Sequence, residues 1–227
     1  MPERISYVTD DGVTVVGDWV TAPTTIGAVI LLHMMPVLRQ SWASFQRALA
    51  QRGLASLAID LRGHGESVKG PDGKPLDFKK FTDGEHASTI HDVRGAYAWL
   101  RSRGIDRDRI AVAGASIGAN LALQFLSEEP QVPAAVLLSP GESYHGVETA
   151  DAADYVLPHQ GVWMAASGGD DAYSAASADK LMGALQVEQK VHEKLLGAGH
   201  GTKMFETHPE LSDKLADWLR DRVLAVK

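Results

Sequence analysis

The sequence predicts an α/β fold. A single domain over residues 1–227 should carry a mostly parallel sheet of about eight strands, with helices on both faces. Three observations lead there. Short apolar runs alternate with segments of helical spacing through most of the chain. The apolar run at 28–32 reads Ala-Val-Ile-Leu-Leu without polar alternation, as a strand buried on both faces should. The length of 227 residues and a hydrophobic content of 44% suit one domain with a large core, or at most a domain with a small insertion.

The elements follow in order. Residues 5–9 and 13–20 alternate around Asp10-Asp11-Gly12, the pattern of a hairpin. After the strand at 28–32, residues 41–52 show helical spacing that stops at Gly53. Residues 54–59 form the next buried strand, and 61–81 are a loop rich in Gly, Pro and Lys. Residues 85–103 read as one long amphipathic helix ended by Gly104, with Val93, Ala96, Tyr97 and Leu100 on one face. The apolar run 110–113 precedes a helix-like stretch at 119–127. Strands follow at 134–138, 162–166 and 188–195, with helices near 174–183 and 209–223. Strands that alternate with helices imply a parallel sheet covered on both faces. In such sheets the site lies beyond the carboxyl ends of the strands.

Composition narrows the function. The formal charge is −7 and no basic block is present, a poor match for nucleic acid or an anionic membrane. With no cysteine there is no disulfide, no Cys-ligated metal site and no cysteine nucleophile. The start Met1-Pro2-Glu3-Arg4-Ile5 has no apolar signal core, and no apolar run approaches the ~18 residues of a membrane span, so a cytoplasmic location is expected. No cofactor or metal is expected. Gly63-His64-Gly65 lacks the G-x-G-x-x-G frame, and the histidines are scattered rather than spaced as ligands. The oligomeric state is left open.

The most informative segment is Gly114-Ala115-Ser116-Ile117-Gly118, a G-x-S-x-G pentapeptide between a strand and a helix. That context lifts a serine hydroxyl clear of the sheet edge and makes Ser116 a candidate nucleophile. The alternative is a plain strand-to-helix turn with Ser116 as an N-cap. A serine needs a base, and the base needs an orienting acid. Among nine histidines, His200 stands just after the last strand, between glycines in Gly197-Ala198-Gly199-His200-Gly201. His86, His91 and His192 fall within helix or strand patterns and are expected to face solvent, while His145, His159 and His208 sit in loops without such a frame. His64, in Asp60-Leu61-Arg62-Gly63-His64-Gly65-Glu66-Ser67, suits a structural turn. After the strand at 162–166 come Asp170 and Asp171. One should receive His200 and the other should cap the helix near Ser174. An oxyanion hole needs two backbone N–H groups. Ile117 supplies one, and Met34 or Met35 the other, because Pro36 has no N–H.

Together, LLHMMP, DLRGHGES, GASIG, GGDD and GAGHG after successive strands make nearly the whole chain resemble the α/β-hydrolase superfamily. It is most similar to small bacterial esterase-like and dienelactone-hydrolase-like proteins. The resemblance implies Ser116 as nucleophile, His200 as general base and, from the G-x-x-D spacing that begins at Gly168, Asp171 as the acid. It also implies Met35 as the second oxyanion donor. The chain departs from the pattern in two ways. Met34 replaces the usual glycine after the first-loop histidine, and the cysteine of better-known dienelactone hydrolases is missing. Lids of the superfamily usually enter between the sixth and seventh strands. Residues 139–161 leave room there for a loop and a short helix but no separate cap domain. The expected substrate is therefore a small, short-acyl ester, with thioesterase, lactonase or amidase chemistry open to the same triad. A non-catalytic binding protein of the same fold is the remaining alternative.

Overall fold

The computed structural model describes residues 2–225. Its main sheet has eight strands: β1 (Glu3–Val8), β2 (Thr14–Val20), β3 (Gly27–Leu32), β4 (Leu54–Ile59), β5 (Ile110–Ala115), β6 (Ala134–Leu138), β7 (Gly161–Gly168) and β8 (Gln189–Leu196). The helices are α1 (Ala43–Gln51), α2 (Asp83–Ala87), α3 (Ile90–Ser102), α4 (Ile117–Glu128), α5 (Ala150–Tyr155), α6 (Ala172–Ala184), α7 (Met204–Thr207) and α8 (Glu210–Ala225). The spatial order of the sheet is β1-β2-β4-β3-β5-β6-β7-β8. Only the pairings of β2, with β1 and with β4, are antiparallel. This matches the α/β architecture expected from the sequence.

The central strands explain why the sheet forms. Every residue of β3, β4, β5 and β6 is buried, so each strand packs on two faces. One face meets α3, α4 and α6 through residues such as Ile30, Val112, Leu121 and Val162. The other meets α1 and α8 through Val29, Leu31, Phe45, Val136 and Leu215. Register then aligns the strand ends. Leu32 pairs with Gly114, Ala115 with Leu138, and Leu196 with Gly168. The loops after β3, β5, β6, β7 and β8 consequently leave one edge side by side.

The predicted helix over 85–103 is two helices. Thr89 N–H bonds His86 O at 3.1 Å and Asp92 N–H bonds Thr89 O at 3.0 Å, so the chain tightens to three-residue turns between α2 and α3. Ser88 Oγ donates to Glu85 O at 2.7 Å, a side-chain bond that competes with helix continuation. The break brings Asp92 beneath Arg62, whose Nε it accepts at 2.9 Å. Residues 139–161 hold a small hairpin (Ser143–Tyr144 with Val147–Glu148) and α5, with no separate cap. A short α7 also precedes the last helix. Among the described residues no helix is long and apolar enough to cross a membrane.

Candidate active site

Ser116 tops β5 in a strained turn, with φ 55° and ψ −121°. Its backbone still belongs to the sheet edge, since Ser116 N–H donates to Leu138 O at 2.8 Å. Two glycines permit this geometry by close approach. A Cβ on Gly114 would overlap the Gly118 carbonyl, and one on Gly118 would overlap the Leu32 carbonyl. Ser116 occupies the N-cap position of α4, yet its hydroxyl makes no capping bond. The hydroxyl is thus free for other use, unlike that of an ordinary N-cap serine.

The loops after β7 and β8 meet over this turn. His200 Nδ1–H donates to Asp171 Oδ2 at 2.7 Å. Asp171 Oδ1 accepts from Ser174 Oγ at 2.8 Å. Burial works to raise the Asp171 carboxyl, but hydrogen bonds from His200, Ser139 and Ser174 outweigh it and hold the group below the usual carboxylate range. Asp170 does not cap the helix near Ser174, contrary to the sequence expectation. Its Oδ2 accepts from Gly199 N–H at 2.9 Å, and its Oδ1 accepts from Ser167 Oγ. Asp171 both receives His200 and fills the N-cap position of α6, without a side-chain bond to that helix's backbone. The two carboxylates therefore share one job, since Asp171 holds the imidazole and Asp170 holds the loop that carries it. Ser139 adds a further tie by accepting from Gly201 N–H at 2.9 Å.

On the other side, the loop after β3 is propped by His33. Its Nδ1–H donates to Met34 O at 2.9 Å, while Nε2 accepts from Leu61 N–H at 3.0 Å. Burial, with the adjacent His64 ring, holds His33 down to about 3, so it stays neutral and keeps both bonds. In a trans peptide the C=O and N–H point opposite ways. With the Met34 carbonyl turned toward His33, the Met35 N–H is turned away from it. Met34 is buried and packs beneath the loop, whereas Met35 is partly exposed. Ile117 is the first residue of α4, where a helix leaves its N–H without an intrahelical acceptor.

Other histidines sort differently from expectation. His86 and His192 do not face solvent. His86 is 5% exposed and packs against Phe81 and His145, and the His192 side chain is 7% exposed beside Asp179. His91 is half-buried, with Nδ1 2.7 Å from Asp10. A helical or strand pattern gives no sign of a neighbour from a distant segment, which is why these positions read as surface. His64 is buried within its own turn, with Nδ1–H donating to Arg62 O at 3.0 Å. The rest of that motif is likewise structural, as Asp60 accepts from Arg39 and from Glu66 N–H.

Sequence reasoning missed Tyr144. Its hydroxyl lies 2.9 Å from Ser174 Oγ and 3.3 Å from Ser139 O. Its ring stands edge-on to His200 with centroids 6.2 Å apart. Burial pushes the phenol up, so it keeps its proton at neutral pH. The available signal was position, because Gly141-Glu142-Ser143-Tyr144 follows a strand end. A hollow of about 490 Å³ between β1 and α3 is not part of this site, since β1 lies four strands from β5.

The comparisons agree with this architecture. No curated protein sequence matches the chain significantly. A Pyrococcus furiosus esterase superposes with TM-score 0.81 at 18% identity, over 98% of this chain and 93% of its own. An α/β hydrolase from Penicillium gives TM-score 0.82 at 14% identity, over 99% of both chains. A dienelactone hydrolase from Anabaena variabilis gives 0.69 at 21% identity, over 98% of this chain and 97% of its own. The family model for the alpha/beta hydrolase fold matches residues 27–216, and the chain belongs to that family.

Proposed function

We propose that this protein is a serine hydrolase that cleaves short-acyl carboxylic esters through Ser116, His200 and Asp171. The observation that carries the reading is the 2.7 Å His200–Asp171 bond, made beside a strained serine whose hydroxyl caps nothing. Asp171 fixes the imidazole with Nδ1 protonated, which leaves Nε2 as the base. Ser116 Oγ attacks the ester carbonyl as Nε2 takes its proton. Negative charge on the carbonyl oxygen meets the N–H groups of Ile117 and Met35. The imidazolium passes its proton to the departing alcohol. Water then attacks the acyl-enzyme by the same route and releases the acid and free Ser116.

The short-acyl preference rests on the segment over the site. It contains only a two-residue-per-strand hairpin and a six-residue helix. Asn120 ties it down, with Nδ2 donating to Val147 O at 2.7 Å and Oδ1 accepting from Gly141 N–H at 3.0 Å. Such a segment forms no deep apolar tunnel for a long chain. The names esterase and dienelactone hydrolase, borne by two of the structural relatives, fit the same acyl-transfer chemistry.

The test is hydrolysis of p-nitrophenyl acetate, butyrate and octanoate by wild type and Ser116→Ala. The expected outcome is turnover of the two shorter esters that disappears in the variant. Turnover unchanged in Ser116→Ala contradicts the nucleophile, and a strong preference for octanoate contradicts the short-acyl assignment. Matched thioester, lactone and amide substrates rank the related chemistries.

A further inference from the structure

The Met34 side chain reaches the neighbour of each member of the proposed catalytic pair. Its Sδ lies 2.5 Å from the point where a Cβ on Gly201 would fall, and the Ala115 Cβ lies 3.2 Å from the same point. Gly201 follows His200 in the chain, and Ala115 precedes Ser116. The contact exists because Gly201 carries no side chain and takes a positive φ of 59°. Met34 is buried in the cluster that holds Ala115, Trp42 and Phe205. A long unbranched thioether suits so irregular a gap. Both ends of the contact are pinned. Met34 O accepts from His33 Nδ1–H at 2.9 Å, and Gly201 N–H donates to Ser139 Oγ at 2.9 Å.

The same side chain lines a pocket of about 240 Å³ between the start of α1 and the segment after His200. Val37, Ser44, Thr202 and Phe205 also line it, whereas Ser116 and His200 do not. Its wall is preformed, since the Phe205 ring stacks on Phe45 at 5.3 Å and lies 5.8 Å from Trp42. The volume falls below the ~300–1,000 Å³ of pockets for drug-sized ligands, so it suits an alkyl chain rather than a bulky ring system. Without the Met34 side chain, this space would open toward Gly201 and Ala115.

We propose that Met34 determines chain-length specificity: its side chain closes the pocket beside α1 off from Ser116 and so holds the substrate to short chains. This inference rests on the serine-hydrolase reading and adds to it a residue that sets what fits. Shortening Met34 joins the pocket to the site. A longer alkyl chain then runs from the ester past Ala115 and Gly201 to the apolar lining at Val37 and Phe205. The bond changes stay the same. Ser116 Oγ bonds the carbonyl carbon, its proton passes to His200, and the alcohol leaves with that proton.

The test compares kcat/KM for p-nitrophenyl acetate with octanoate, and for ethyl acetate with octyl acetate, in wild type, Met34→Leu and Met34→Ala. The readout is the long-to-short ratio in each pair, which cancels any general loss of activity. One methylene newly lodged in an apolar pocket changes discrimination about 10–200-fold, so Met34→Ala should raise the ratio at least about tenfold in one pair. Met34→Leu conserves volume and should stay within about threefold of wild type. A rise for octanoate places the acyl chain in the pocket, and a rise for octyl acetate places the alcohol chain there. Ser44→Phe fills the pocket from α1, and added to Met34→Ala it should return the ratio to the wild-type value. Unmoved ratios in Met34→Ala overturn the proposal, because a merely structural role lowers both esters of a pair alike. A gain that survives Ser44→Phe overturns it too. If Met34→Ala fails to fold, Met34→Val decides by the same ratios. Octanoate turnover that persists in Met34→Ala combined with Ser116→Ala overturns the underlying reading instead, so the two failures are distinct.

Discussion

Substituting Gly118 with alanine sets two effects against each other, and the structure decides the sign. Gly118 lies in the first turn of α4, where alanine ordinarily gains about 0.5–1 kcal/mol over glycine in a helix. Here the new Cβ would lie 2.8 Å from both Leu32 C and His33 O, and nearer still to Leu32 O. These are backbone atoms rather than a side chain that can swing aside. Leu32 is also locked in register with Gly114 of β5. Overpacking of this kind costs about 1–3 kcal/mol, so a net loss of about 1–2 kcal/mol is expected. With a denaturant slope of about 2 kcal/mol/M, the urea midpoint should drop by about 0.5–1 M. The strain falls between the Ile117 N–H and the Met35 loop, the two proposed oxyanion donors. Displacing one donor should lower kcat by about 10²–10³-fold. Paired urea titrations and ester kinetics on wild type and Gly118→Ala measure both quantities. A variant as stable as wild type with full activity would refute the claim that the elbow packs directly on the end of β3.

Further predictions concern the acid and the loop prop. Asp171→Asn should reduce kcat by about 10⁴-fold, the effect of losing the acid that orients a triad histidine. Asp170→Asn should cost less than about tenfold, because Asp170 anchors Gly199 rather than the imidazole. Steady-state kinetics on the two variants separate the carboxylates, and equal losses would contradict their division of labour. His33 titrates at about 3 when folded, below the about 6.5 of an unfolded chain, so its contribution to stability is complete above about 6.5 and is lost as pH falls toward about 3. Between pH 7 and pH 4 wild type should lose about 3 kcal/mol more stability than His33→Gln in urea titrations, and parallel losses would show that His33 is not held neutral.

How much of this was legible in the sequence depended on distance along the chain. Ser116 announced itself because strand, turn glycines and helix are contiguous, and each element is a local pattern. His200 and Asp171 were readable because each follows a strand, and parallel strands deliver their ends to one edge. The Asp170–Asp171 pair was not resolved by residues alone, since two adjacent carboxylates differ only in which way the backbone turns after β7. Tyr144 was invisible because its partner Ser174 lies 30 residues away on a separate element. The split between α2 and α3 escaped for the same reason. Helical periodicity runs smoothly through Ser88 and Thr89, and only the buried guanidinium of Arg62, contributed by another loop, shows why Asp92 must sit where it does.

The central claim is that Ser116 carries the acyl group. The most direct measurement is mass spectrometry of protein quenched in acid during turnover of p-nitrophenyl acetate, followed by peptide mapping. One acetyl group on the peptide containing Gly114–Gly118, located on Ser116 and missing in Ser116→Ala, is the predicted result. Acetyl located only on lysines or histidines, with turnover intact in Ser116→Ala, would contradict it.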